Sequence, residues 1–281
     1  MLTACAAATH ASEARLIQVP EAVLAPRETA LVRPARWAYS IGVFNPLTLA
    51  IMPRLEIQTH PLVFLVAPNI IVRVAHVPLA DRWGLTGEYG FSVPTLAMRL
   101  AQGHLFPSWE NGQGQVGWAL VPRAGLVFSH FGAALPGQTA VVTARVDLAV
   151  GVRLSTTDAQ PLDAPAPIDL LFEPVLNRYR GRVGLLWDSS LGRRWRVRAY
   201  GDLYVHGVDS AFRAPRGAAN LTTRLGAGVD IGLGEKRRTR FTFGVAWWNA
   251  EQHAIDPVTW QARRSNDIWP TLDFIWETPG A

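Results

Sequence analysis

The chain has 281 residues, room for one large β domain or two small ones, and a net charge of +5. Only 17% of its residues are charged, fewer than the roughly 25% of an average soluble chain. All basic residues but Lys236 are arginine and they are spread along the chain, which excludes a nucleic-acid interface; the lone Cys5 excludes an internal disulfide.

At the N-terminus Leu2-Thr3-Ala4-Cys5 resembles the lipobox of bacterial lipoproteins, where the cysteine becomes the lipidated first residue. Ala6-Ala7-Ala8 would serve equally as the cleavage site of an ordinary signal peptide. Residues 1–35 are therefore expected to be an export-signal remnant or a lipidated tether, with Cys5 the lipidation site in the second case. Pro20, Pro26 and Pro34 favour an extended path over 12–35.

From residue 36 the chain alternates. Trp37 to Phe44 reads as a short first strand, and Asn45-Pro46 as a turn. Leu47 to Thr59 separates cleanly into an apolar face, with Leu47, Leu49, Ile51, Leu55 and Ile57, and a face carrying Arg54 and Glu56. It reads as one strand. Ile70–Val77 turns Arg73 inward, and Trp83–Val93 turns Glu88 inward. Residues 94–115 break the rhythm, with a short helix near Leu96–Leu100. Val116–His130 carries Arg123 on its polar face, and Thr139–Leu154 carries Arg145, Asp147 and Arg153. A Pro-rich loop over 155–167 leads into a short strand at Ile168–Phe172. The remaining strands place Arg180, Arg182 and Asp188, then Arg196, Arg198 and Asp202, then Arg224 and Asp230, then Arg240, and last Asp273 on one side. Pro53, Pro122 and Pro270 fall inside strands, where each demands a bulge, an edge or a strand end.

A repeated apolar-out, charged-in strand of roughly 9–11 residues specifies a transmembrane β-barrel. No apolar run reaches the ~18 residues of a spanning helix. The fold class is all-β: a single antiparallel transmembrane β-barrel of about twelve strands over 36–281, with ten the next choice if Ile168–Phe172 is not a strand. A soluble sandwich or barrel also alternates, but would carry more lysine and glutamate on its wet face. The links at 189–193 and 234–238 are short and those at 209–219 and 250–267 long, which puts the C-terminus on the periplasmic side.

Over residues 36–277 the chain resembles Gram-negative outer-membrane β-barrel proteins. Leu272-x-Phe274-x-Trp276 resembles the C-terminal signal read by the barrel-insertion machinery, although Glu277 to Ala281 follow it. Pro46-Leu47-Thr48-Leu49 and Pro53-Arg54-Leu55-Glu56 are similar to repeats in barrels grouped with phenol-degradation pathways. That resemblance implies uptake of small hydrophobic compounds, outer-membrane lipid as surroundings and the insertion machinery as partner.

The inward ions form a ladder: Arg54, Glu56, Glu88, Arg123, Arg145, Asp147, Arg153, Arg180, Arg182, Arg196, Arg198, Asp202, Arg224, Asp230, Arg240 and Asp273. Mutual neutralisation inside a narrow barrel is one use for it; an anion-favouring constriction is another, because arginine outnumbers acid. The expected roles are a narrow channel for a small solute or a structural surface protein. A soluble binding module and an outer-membrane hydrolase are the alternatives. Catalysis is not expected. Asp202 and His206 share a face but lie ~13 Å apart along a strand, and no histidine pair has metal-ligand spacing. No cofactor or metal is expected, and no nucleic-acid partner.

Overall fold

A computed structural model describes residues 24–76, 82–101, 116–132, 139–156, 166–207, 221–234, 238–255 and 262–278. Cys5 and the lipobox resemblance lie outside them. The strands are β1 (Tyr39–Gly42), β2 (Leu47–Met52), β3 (Leu55–Thr59), β4 (Asn69–Ala75), β5 (Trp83–Ser92), β6 (Ala119–Gly132), β7 (Ala140–Val150), the two-residue β8 (Val152–Arg153), β9 (Tyr179–Ser190), β10 (Trp195–His206), β11 (Leu221–Leu233), β12 (Thr239–Ile255) and β13 (Ala262–Thr278). Apart from β8, each pairs antiparallel with its neighbours in sequence, β5 pairs with β6, and β1 pairs with β13. The result is a closed antiparallel barrel of twelve strands, with β8 a bridge to the start of β6.

The alternation over Leu47–Thr59 predicts one strand; the structure folds it into two. Pro53 has no amide to donate and Arg54 takes a left-handed φ of 75°, so the chain reverses and β2 pairs with β3. The faces survive because the tight reversal keeps the parity, and Glu56 still points inward. Arg54 does not: it belongs to the turn, not to the lumen ladder. Pro122 lies between the ladder to β7, which begins at Arg123, and the bridge from Leu120 to β8.

The short strand expected at Ile168–Phe172 is instead part of a helix, α3 (Ala166–Asn177). A short apolar run carries no periodicity that separates strand from buried helix. The helix expected near Leu96–Leu100 is present as α2 (Thr95–Ala101), and a single turn, α1 (Pro61–Phe64), follows His60. The even strand number survives because the β2–β3 hairpin adds the strand that α3 removes.

The barrel has two unlike ends. The near end carries the 191–194 link, the Arg54 turn and the C-terminus of β13. The far end carries the links that hold α1, α2 and α3. There Met98 of α2 packs with Phe172, Val175 and Leu176 of α3 and with Ala119, Val121 and Ala149 of β6 and β7. Close approach seats α3: a Cβ on Gly151 would run into the Pro174 carbonyl, and one on Gly207 into that of Asn177.

Residues 24–33 lie inside the near half of the barrel, and Pro34 and Arg36 are exposed as the chain leaves it. Of the Pro-rich stretch that reads as a tether, the described residues 24–33 run through the lumen. Arg196 Nη1 donates to the Leu24 carbonyl at 2.8 Å, Thr86 Oγ1 to the Ala30 carbonyl at 2.6 Å, and the Ala30 amide to Ser129 Oγ at 2.8 Å. Glu28 and Trp37 take φ of 56° and 63°, so the chain turns sharply at both.

The inner and outer faces are inverted relative to a soluble protein. Glu56, Arg196 and Arg240 are at most 1% exposed, whereas Val146, Leu185 and Leu272 are 50%, 62% and 56% exposed on the outer wall. No described helix is long and apolar enough to cross a membrane.

Candidate functional site

Strand pairing explains which lumen ions meet. Residues directly opposite across a ladder share a face, so Arg73 opposes both Glu56 and Glu88, Arg182 opposes Asp147, and Asp202 opposes Arg224. Arg73 Nη1 lies 2.7 Å from Glu56 and its Nε 3.1 Å from Glu88. Asp202 takes Arg182 at 2.7 Å and Arg224 Nε at 2.8 Å. Asp188 takes Arg196 at 2.5 Å, and Asp230 takes Arg240 at 3.0 Å. Glu56, Glu88, Asp202 and Asp230 are each shared between two or more cations, which offsets the desolvation of buried charge. Among the described residues, Asp188 has Arg196 alone and Asp147 has arginines only at 3.8 and 3.9 Å.

Not every predicted member belongs to this network. Arg153 donates at 2.9 and 2.8 Å to the carbonyls of Val175 and Leu176, so it holds the end of α3. Arg180 bonds the Leu170 carbonyl and lies 5.9 Å from the Tyr204 ring. Asp273 accepts from the amides of Val43 and Phe44 at 2.8 and 3.1 Å, and from Asn45, so it fixes the β1–β2 turn rather than an arginine.

Three members come from the lumen segment and were not legible. Arg27 forms a two-pronged pair with Asp230, Arg33 donates from its backbone amide to Glu56 at 2.8 Å, and Glu28 lies 3.2 Å from Arg198. Burial alone would raise the Glu28 carboxyl, but Arg198, Arg145, Arg27 and Arg224 outweigh it and hold its pKa at about 2. No periodicity in a Pro-rich segment signals such contacts.

Between the lumen segment and the inner wall lies a cavity of about 350 Å³. Arg73, Arg123, Arg145 and Arg182 line it with Glu28 and Glu88, and its lining extends to Asn45 and Pro46 in the β1–β2 turn. Arg123 and Arg145 are the least satisfied of its arginines. Arg123 reaches Glu88 at 3.5 Å and Asp147 at 3.8 Å, and Arg145 reaches Glu88 at 3.6 Å, all beyond a good hydrogen bond. The Nε of each is buried without a protein acceptor.

At the far end Glu173 Oε2 lies 2.9 Å from His206 Nδ1, a close contact not aligned as a hydrogen bond, and His206 Nε2 lies 3.1 Å from Thr222 Oγ1. Acid, imidazole and hydroxyl in that order resemble a nucleophilic relay. All three are buried, and none lines the lumen cavity. Their contacts join α3 to β10 and, through His206, β10 to β11. Among the described residues no group of acidic, histidine or cysteine side chains is placed to hold a metal.

No protein-family model matches the chain, and no curated protein sequence does. Among solved structures, a bacterial polysaccharide outer membrane secretin is similar with a TM-score of 0.43 and 9% identity, over 85% of this chain and 69% of that one.

Proposed function

We propose that the protein is a bacterial outer-membrane barrel that handles a small anionic solute in its lumen, with residues 24–33 keeping the path narrow. The inversion of faces carries the membrane half of this reading. Exposed apolar side chains run the length of β10 from Trp195 to Val205. Ten residue steps on a strand tilted by about 40° cover ~25 Å, the height of the apolar band of an outer-membrane barrel. A soluble monomer rarely exposes an apolar patch beyond roughly 300–600 Å². The outward Leu272, Phe274 and Trp276 on β13 suit recognition by the insertion machinery.

The solute half rests on Arg123 and Arg145, which line the cavity with side chains 24% and 15% exposed and whose nearest carboxylate oxygens among the described residues lie 3.5 Å or more away. Arginine-lined pores favour anions. A structural role without transport is the second reading, favoured by the occupation of both ends: the lumen segment at the near end, and α2 and α3 at the far end. Catalysis forms no part of either.

Planar-bilayer recording on the refolded chain decides between them. Small, discrete, anion-selective conductance supports the solute reading. A barrel that shifts mobility on heating yet conducts nothing supports the structural one. A chain that stays monodisperse without detergent sinks both.

A further inference from the structure

The barrel wall is uneven. β1 to β4 have four, six, five and seven residues, whereas β9 to β13 have twelve to seventeen. A tilted strand needs ~9–11 residues to cross the hydrocarbon. None of the four reaches that, so in a membrane their upper rim lies within the apolar layer. β1 pairs with β13 only from Tyr39 opposite Thr278 to Gly42 opposite Ile275. Above that point β13 continues to Ala262 with no described strand on this side.

That free edge is not built to accept another strand. Phe274 accepts the Val43 amide on the β1 side, while the Glu277 amide donates to Arg238 on the β12 side. Alternate residues turn their backbone groups to alternate sides. Pro270 therefore faces the free edge, where it has no amide to offer, a device that blunts strand addition.

The rim of the low wall is apolar. Phe44 in the β1–β2 turn is 69% exposed, and Leu62 and Leu65 around α1 are 62% and 80% exposed. His60 Nε2 lies 2.9 Å from the Phe44 carbonyl and ties the two parts of the rim together. Directly inside, the cavity lining runs from Asn45 and Pro46 to the under-satisfied Arg123 and Arg145.

We propose that the low wall is a lateral entry for an anionic amphiphile, whose head group pairs with the loosely held guanidinium ends of Arg123 and Arg145 while its chain stays in the membrane. This rests on the outer-membrane reading above and names the class of its solute. An apolar rim beside a cationic cavity matches both parts of such a molecule, and a free anion would have no use for the rim.

The test uses the full chain purified in a neutral maltoside detergent, with binding read by native mass spectrometry and calorimetry. The probes are dodecyl phosphate, inorganic phosphate and dodecanol. Dodecyl phosphate is expected to bind saturably, with the other two at least roughly tenfold weaker, and Arg145→Gln or Arg123→Gln to lose about tenfold or more. Leu65→Asp, at the rim and away from the arginines, is expected to weaken dodecyl phosphate and leave inorganic phosphate unchanged. Equal binding of dodecanol, or indifference to both arginine variants, overturns the head-group site. Inorganic phosphate binding as tightly as dodecyl phosphate overturns lateral entry in favour of a free anion. A heat-modifiable barrel that binds none of the probes overturns this proposal alone, whereas a detergent-free soluble chain overturns the membrane reading as well.

Discussion

Arg27 Nε and Nη2 each lie 3.0 Å from a different oxygen of Asp230, joining the lumen segment to β11 across 203 residues of sequence. Asp230 also receives Arg240 at 3.0 Å and Thr242 at 2.9 Å. Asp230→Ala strands the Arg27 guanidinium and leaves Arg240 only Glu277, at 3.1 Å, and removing one partner of a buried pair costs about 3–5 kcal/mol. Arg27→Ala spares the Asp230–Arg240 pair and releases only the segment. We expect conductance to rise in both variants, and resistance to urea in lipid vesicles to fall more in Asp230→Ala.

Glu28 gives the occlusion an acid limit. Its folded pKa lies near 2, below the ordinary 4.5, so its contribution is complete above about pH 4.5 and disappears as pH falls through about 2. The lumen should therefore stay closed down to about pH 4.5 and loosen below it. Conductance recorded against pH checks this, and Glu28→Gln should remove that acid step. A step that persists in Glu28→Gln belongs to another group.

Val146 stands half-exposed on the outer face of β7, near the middle of that strand. Arginine on the lipid face near mid-bilayer costs about 2–4 kcal/mol. Val146→Arg should lower unfolding stability in vesicles by that amount. In a soluble barrel the same change would stay within about 0.5 kcal/mol, as surface substitutions do.

His206 is expected to matter for the seat of α3 and not for turnover. His206→Ala removes the hydrogen bond to the buried Thr222 hydroxyl and the close contact to Glu173, a loss of about 1–3 kcal/mol. Limited proteolysis should cut the 151–178 link faster in this variant, and Thr222→Val should have a smaller effect. A hydrolase relay would make both variants lose turnover of a lipid or peptide substrate.

Strand faces were legible because alternation is local: Glu88, Asp147 and Asp202 point inward as their neighbours' parity requires. Height was not. The Leu47–Thr59 pattern hid a hairpin because the reversal at Pro53-Arg54 preserves parity, and only the proline marked it. α3 was hidden by the ambiguity of a short apolar run. Arg27 and Glu28 were illegible for a different reason. Their partners Asp230 and Arg198 lie some 200 residues away, and a segment without periodicity gives no sign of what it will meet.

The ladder between β1 and β13 is four residue pairs long, against fourteen between β12 and β13. Arg33 spans this seam from within, with its amide 2.8 Å from Glu56 on β3 and its Nη2 3.9 Å from Glu277 on β13. Closing a loop of this length has an entropic cost that a four-pair ladder offsets poorly. The segment is made before either edge of the seam and ends up bridging both, so its contacts add to the closed state what the short ladder does not. Excising residues 24–36 should then yield fewer closed barrels, as well as more permeable ones.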